Sequence, residues 1–227
     1  VMLAEGDWFE SEMEFWRAWI RQGMTVVDVG ANVGVYTFSA ARRVGERGRV
    51  VAIEPFSRCV QYLRESSRVN HMPQVTVCAG AASDHAGVAY LRLETASEMN
   101  EIVSDDAVTA LPPGSFETVQ RFTLDDLRRR EGLAHVDFLK IDAEGHELAV
   151  LHGAEQLLAD CAPVILYENT AGERGNPDVA THLRARGYRL FKYRPFIQQL
   201  SPADNAEDLQ GVLNIIAVPA GKVHLFD

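Results

Sequence analysis

Four short, predominantly apolar runs each carry an acid at or near their end: T-V-V-D-V-G at residues 25–30, R-V-V-A-I-E at 49–54, V-D-F-L-K-I-D at 136–142 and P-V-I-L-Y-E-N at 163–169. Runs of this length without polar alternation read as strands buried on both faces. Between them the apolar residues fall at helical spacing. This alternation predicts a parallel sheet with helices on both faces. In such a sheet ligands sit beyond the carboxyl ends of the strands, where Asp28, Glu54, Asp142 and Glu168 fall. Acids also cap helix N-termini, but four at the ends of strands in one sheet favour a site.

The first run continues as G-A-N-V-G-V-Y-T-F-S-A-A-R, a strand feeding a tight turn feeding a helix, which presents a helix N-terminus to a nucleotide-like ligand. A phosphate-binding loop is excluded, because no G-x-x-x-x-G-K-[ST] occurs. A dinucleotide fits better: Glu54 lies 20 residues after Gly34, a fair position for an acid on ribose hydroxyls. Yet Asn32 occupies the place of the glycine that lets backbone approach a pyrophosphate, and Val35 the place of the third glycine. A ligand with a ribose and no pyrophosphate suits the turn better, and S-adenosylmethionine is one.

The 227 residues suit one domain, with a net charge of -10 and a pI near 5.2. No basic excess exists to neutralise phosphates, which argues against nucleic acid as a partner. Cys59, Cys78 and Cys161 stand singly, which fits neither a disulfide framework nor a thiolate zinc site. No run approaches the roughly 18 apolar residues of a membrane span. No signal-peptide layout is present, so the expected location is cytoplasmic. Val1 rather than Met opens the chain, as in a piece cut from something longer.

Residues 1–24 read as a helical lead-in, with Trp8, Phe15, Trp16, Trp19 and Ile20 at helical spacing, and 25–227 as the main domain. Further strands are expected at 74–79, 87–93, 188–193 and 213–219, and helices at 57–70, 123–130 and 178–186. Helical segments from Glu144 should break near Gly153. The stretch 94–117 is acidic, contains Pro112-Pro113-Gly114 and reads as an irregular insert on the substrate side.

Several segments carry a closer likeness. V-V-D-V-G-A-N-V-G-V-Y-T, V-V-A-I-E-P-F, T-L-D-D-L, V-D-F-L-K-I-D-A-E-G-H-E-L-A-V-L-H-G-A and L-N-I-I-A-V-P, in this order, resemble the FkbM-type family of class I methyltransferases. K-I-D-A-E-G-H-E at 140–147 is the most specific part. The resemblance implies a Rossmann-like, seven-stranded, mostly parallel sheet with helices on both faces. It also implies S-adenosylmethionine as methyl donor and a hydroxylated small molecule, such as a sugar or natural-product intermediate, as acceptor. By position Asp28, Gly30, Asn32 and Gly34 would line the methionine end. Glu54, with Pro55 beside it, would take the ribose. Ala82, Ser83 and Asp84 would lie near the adenine, though Ser83 and Asp84 also read as a plain turn.

An aliphatic hydroxyl is a weak nucleophile, so methyl transfer to it needs a base or a metal. Asp142 would face the methyl group, and His146 is the candidate base, with a capping or surface histidine as the plainer alternative. Asp142, Glu168 and Asn169 form a second arrangement, similar to the magnesium site of catechol O-methyltransferase and of a donor type suited to Mg²⁺. A nicotinamide-dependent oxidoreductase and a non-catalytic cofactor-binding module are the rival functions. Asn32 and the lack of a Y-x-x-x-K pair count against the first, and the intact acids against the second. Oligomeric state is not legible.

Overall fold

The computed structural model describes residues 10–94, 100–103, 112, 114–169 and 176–226. Strands β1 (Thr25–Val29), β2 (Arg49–Glu54), β3 (Val75–Ala79), β8 (Phe138–Ile141) and β9 (Val164–Glu168) are joined in parallel. β12 (Asn214–Pro219) runs antiparallel between β9 and β10 (Tyr188–Arg194). The order is β11-β10-β12-β9-β8-β1-β2-β3, so the chain reverses its direction of growth at β1, between β2 and β8. That switch point is where an open sheet leaves a crevice.

Seven strands are expected and eight are found. The extra one, β11 (Gln199–Pro202), folds back on β10 as an antiparallel edge hairpin. Its Q-L-S-P sequence has only one apolar side chain and gives no strand signal. A larger departure lies in the insert. Instead of being irregular throughout, it includes β6 (Glu101–Val103) and leads into β7 (Phe116–Phe122). With β4 (Ala81–Ala82) and β5 (Gly87–Arg92) these form a second sheet of order β4-β7-β5-β6. Within 94–117, residues 95–99, 104–111 and 113 lie outside the described residues, as does Trp8 of the lead-in.

The pleat sends alternate strand residues to two cores. Val27, Ile53, Leu139, Ile165 and Ile215 meet helices α4 (Leu124–Glu131), α5 (Glu147–His152), α6 (Glu155–Cys161) and α7 (Pro177–Ala185). Val26, Val50, Phe138, Leu166 and Ile216 meet α1 (Glu12–Trp19) and α2 (Val35–Val44), and Ala52 packs with Leu63 of α3 (Ser57–Val69). The lead-in helix is thus part of the core: Phe15 and Trp16 are fully buried, and Trp16 Nε1 donates to the Tyr36 carbonyl at 3.2 Å. Among the described residues no helix is long and apolar enough to cross a membrane.

The break between α5 and α6 falls at Gly153, as expected. A Cβ there would stand 1.9 Å from the Ser83 carbonyl oxygen, so glycine is what lets the chain after β4 pack on this corner. The helix itself starts later than the sequence suggests. Residues 143–146 form a turn, with Glu144 and Gly145 at positive φ (49° and 88°) and His146 at the cap of α5.

Candidate active site

Beyond the ends of β1, β2 and β8 lies a cleft that is open at its mouth. Its first wall is the turn after β1 with the end of β2. Gly30 (φ 74°) lets this turn touch the end of β8, since a Cβ there would sit 1.8 Å from the Asp142 carbonyl oxygen. Asn32 adopts a left-handed φ of 47°, a conformation Asn tolerates better than most residues. Its backbone N–H donates to Glu54 Oε2 at 2.8 Å, and its side chain accepts from the Cys59 thiol at 3.3 Å. The other Glu54 oxygen accepts the Phe56 N–H at 2.8 Å. Burial outweighs these two donors and pushes the Glu54 carboxyl up to about 7.

The second wall comes from the turn 142–146 and the second sheet, through Leu91, Asn100 and Ile102. Asp142, Glu144 and Glu168 bring carboxylate oxygens within 4.8 Å of one another. Burial, followed by repulsion from Asp142, raises Glu144 to about 7 and Glu168 to about 8. The turn is held from beneath by Glu147, fully buried, whose Oε1 accepts the Ala143 and Gly145 N–H groups at 3.0 and 3.2 Å. Glu144 therefore keeps an uncommon backbone conformation because a buried acid fixes the peptides around it, as strained residues at sites commonly require. His146 Nε2 lies 3.0 Å from the Ile102 carbonyl. That oxygen only accepts, so Nε2 carries the proton and a neutral ring keeps its lone pair on Nδ1.

The sequence-predicted residues divide accordingly. Gly30, Asn32, Glu54, Pro55, Asp142 and His146 line one cleft. Asp28 lies beneath it, fully buried, with Oδ2 accepting the Thr37 hydroxyl at 2.6 Å. Gly34 also stands back, where a Cβ would meet the Phe38 and Leu63 side chains. Chain after β4 turns away from the cleft. Gly80, Ala81 and Ala82 line it, whereas the Ser83 carbonyl faces Gly153 and Asp84 pairs with His85 at 2.5 Å. Asn169 points elsewhere too. Its Nδ2 donates to the Leu209 and Val212 carbonyls at 2.7 and 3.0 Å, and its Oδ1 accepts the Asn176 N–H at 2.9 Å. The acid that joins Asp142 and Glu168 is Glu144. Within the insert, Asn100 and Ile102 reach the cleft, whereas Val103 pairs with Tyr90.

The sequence reading gave no role to Lys140, Glu144 or Glu147, although all stand in K-I-D-A-E-G-H-E. None of its dipeptides is one of the usual turn pairs, so the positive-φ turn leaves no local signal.

Residues 28–190 match the methyltransferase FkbM domain. Among curated proteins none matches. The crystal structure of methyltransferase FkbM from Methylobacillus flagellatus KT is similar at a TM-score of 0.59 and 17% identity, over 91% of this chain and 47% of that one. The chain thus spans about half the length of that protein. A SAM-dependent O-methyltransferase from Thermotoga maritima is similar at 0.52 and 11% identity, over 95% and 68%. Aeropyrum pernix fibrillarin, in complex with natively bound S-adenosyl-L-methionine, is similar at 0.50 and 14%, over 87% and 67%. At these identities the likeness to solved structures is one of fold, and the domain match, which spans well over half of the sequence, carries the assignment: the chain belongs to the FkbM methyltransferase family.

Proposed function

We propose that the chain is an S-adenosylmethionine-dependent O-methyltransferase acting on a hydroxyl of a small molecule, such as a sugar or a natural-product intermediate. The observation that carries this reading is the pairing, across one cleft, of the acid Glu54 at the end of β2, beside the glycine turn, with Asp142 and His146 on the opposite wall. The character of the cleft supports the donor. Among the described residues its lining holds Glu54, Asp142 and Glu144 and no lysine or arginine. A diphosphate would meet repulsion there, whereas a sulfonium would be attracted. Glu54 would hold the ribose hydroxyls, Gly30 and Asn32 the amino-acid end, and Gly80, Ala81 and Ala82 the adenine side. When bound, S-adenosylmethionine supplies a methyl group already activated by the sulfonium charge.

What remains for the protein is to orient the acceptor and take its proton. His146 suits the second task, because its Nε2–H is spent on the Ile102 carbonyl and Nδ1 is left to accept. Asp142 lies on the same wall and gives a hydroxyl a negative partner to turn towards.

A second reading is favoured by one observation, the closeness of Asp142, Glu144 and Glu168. Hard oxygen donors at this spacing fit Mg²⁺. These three, rather than Asn169, would hold it, and the ion would lower the acceptor's pKa in place of a histidine.

Calorimetric titration with S-adenosylhomocysteine, in magnesium and again in EDTA with NAD as control, tests both readings. Binding of the first ligand and not NAD, lost in Glu54→Ala, is the expected result. A need for magnesium would move the base role from His146 to the carboxylates, and NAD binding alone would remove the methyltransferase reading.

A further inference from the structure

The two aspartates at the ends of β1 and β8 are joined below the cleft by one buried ammonium. Lys140 is 4% exposed. Its Nζ donates to Asp142 Oδ2 at 2.8 Å, stands 3.8 Å from Asp28 Oδ1 and lies 4.9 Å from the centre of the Tyr36 ring. Asp28 Oδ1 has no hydrogen-bond partner and is compensated by this charge at a distance. The arrangement is asymmetric. A lysine present only to neutralise the fully buried aspartate would make its short bond to that aspartate. The short bond instead goes to Asp142, whose side chain is 37% exposed and lines the cleft.

Burying an ammonium costs several kcal/mol unless it is well paired, and a carboxylate in contact with water needs no such partner for stability alone. Bonding Asp142 to a rigid strand residue does two other things. It fixes the direction of a carboxylate that would otherwise rotate about its side-chain bonds, and it offsets part of that carboxylate's charge at the cleft floor. We propose that Lys140 is a positioning residue that holds Asp142 at the floor of the cleft and sets the charge which a bound sulfur compound meets there. This rests on the S-adenosylmethionine reading above. Lys140 touches no ligand space itself and acts through Asp142, while the Thr37–Asp28 pair below anchors the other side of the ammonium.

The test compares wild type, Lys140→Met and the double variant Asp28→Asn/Lys140→Met, by thermal melting and by calorimetry with two probes. The probes are S-adenosylmethionine, which carries the sulfonium, and S-adenosylhomocysteine, which does not. Lys140→Met should melt well below wild type, because it leaves the Asp28 charge buried alone. The double variant removes that charge and should recover most of the loss. In Lys140→Met the affinity ratio should shift towards S-adenosylmethionine by about tenfold, as expected when a charged hydrogen-bond partner is removed, and in the double variant, which also loses the Asp28 charge, it should shift the same way by about threefold. A loss of packing alone would weaken both ligands alike and leave the ratio unmoved. Recovery of melting together with a wild-type ratio in the double variant would overturn the proposal and leave Lys140 as a counter-ion to Asp28. If Lys140→Met does not fold, the double variant carries the comparison. Wild type that binds neither probe would sink the donor reading itself, a result distinct from binding with an unchanged ratio.

Discussion

The two walls of the cleft are both acidic, but they are built in different ways. On the wall at β1 and β2, each oxygen of Glu54 receives a backbone N–H from a neighbouring turn. On the wall after β8, Asp142 and Glu144 line the cleft and bring their carboxylates close to that of Glu168 at the end of β9, and the nearby ammonium of Lys140 is bonded to only one of the three. The first wall is finished before any ligand arrives, because main-chain donors cannot move away. The second is left with excess negative charge, which a proton, a cation or a polar acceptor must relieve. A fixed backbone wall suits a ligand common to a whole family. A wall of facing side chains suits the part of the reaction that differs between members.

The harshest way to break this comparison is to push the walls apart at Gly30, where they touch. Gly30→Val places side-chain atoms where a Cβ alone would stand 1.8 Å from the Asp142 carbonyl, on a residue with φ of 74°. Overpacking and left-handed strain together should cost about 3 kcal/mol or more. The expected result is a poorly folded chain in a melting experiment. A variant that melts within a few degrees of wild type would show that the contact between the walls is not tight.

The next effect separates the walls by function. Glu54→Gln keeps shape but turns an NH₂ towards one of two backbone donors, and should weaken S-adenosylhomocysteine by about a hundredfold, or some 2–3 kcal/mol. Asp142→Asn should weaken it by less than about tenfold, since that carboxylate stands on the wall opposite Glu54. Equal losses in the two titrations would erase the division of labour. Asn169 sharpens the boundary of the second wall. Its removal in Asn169→Ala leaves the Leu209 and Val212 carbonyls and the Asn176 N–H without their partner, for an expected cost of about 2 kcal/mol in stability. Magnesium affinity should be unaffected, whereas a metal site that uses this amide would lose both.

How far the sequence reveals each wall follows the same division. Asp28, Gly30, Asn32 and Glu54 lie in or beside long apolar runs, where periodicity and turn chemistry agree, and the parallel sheet is legible for that reason. The four-stranded sheet is not. Along β7, Val119 and Phe122 are buried while Thr118 and Gln120 are exposed, so no clean period of two appears. Its partner β5 lies across the insert, where pairing depends on tertiary contacts rather than local pattern. Asp28 reads as a ligand contact because acids at strand ends and acids under strand ends look alike in sequence; only burial separates them. Glu144 escaped for the opposite reason. It sits in a turn set by a buried glutamate three residues later, and nothing in its own position marks it.

The smallest predicted effect uses pH to tell the walls apart. The folded-state pKa of Glu54, about 7, lies above its ordinary 4.5, with burial the main cause. The sign follows from proton linkage: its contribution to stability is full below about pH 4.5 and is lost as pH rises through about 7. Glu144 and Glu168, at about 7 and about 8, act in the same direction. Ligand-free protein should therefore melt lower at about pH 8.5 than at about pH 6. Binding should move the other way. An ionised Glu54 accepts ribose hydroxyls better than a protonated one, so affinity for S-adenosylhomocysteine should strengthen by severalfold over the same interval. In Glu54→Gln the affinity slope should vanish, while most of the melting slope persists, because the carboxylates of the second wall still titrate. Both slopes vanishing together would mean that one residue governs both walls. An affinity slope that survives in Glu54→Gln would place the ligand-linked proton on the acceptor wall instead.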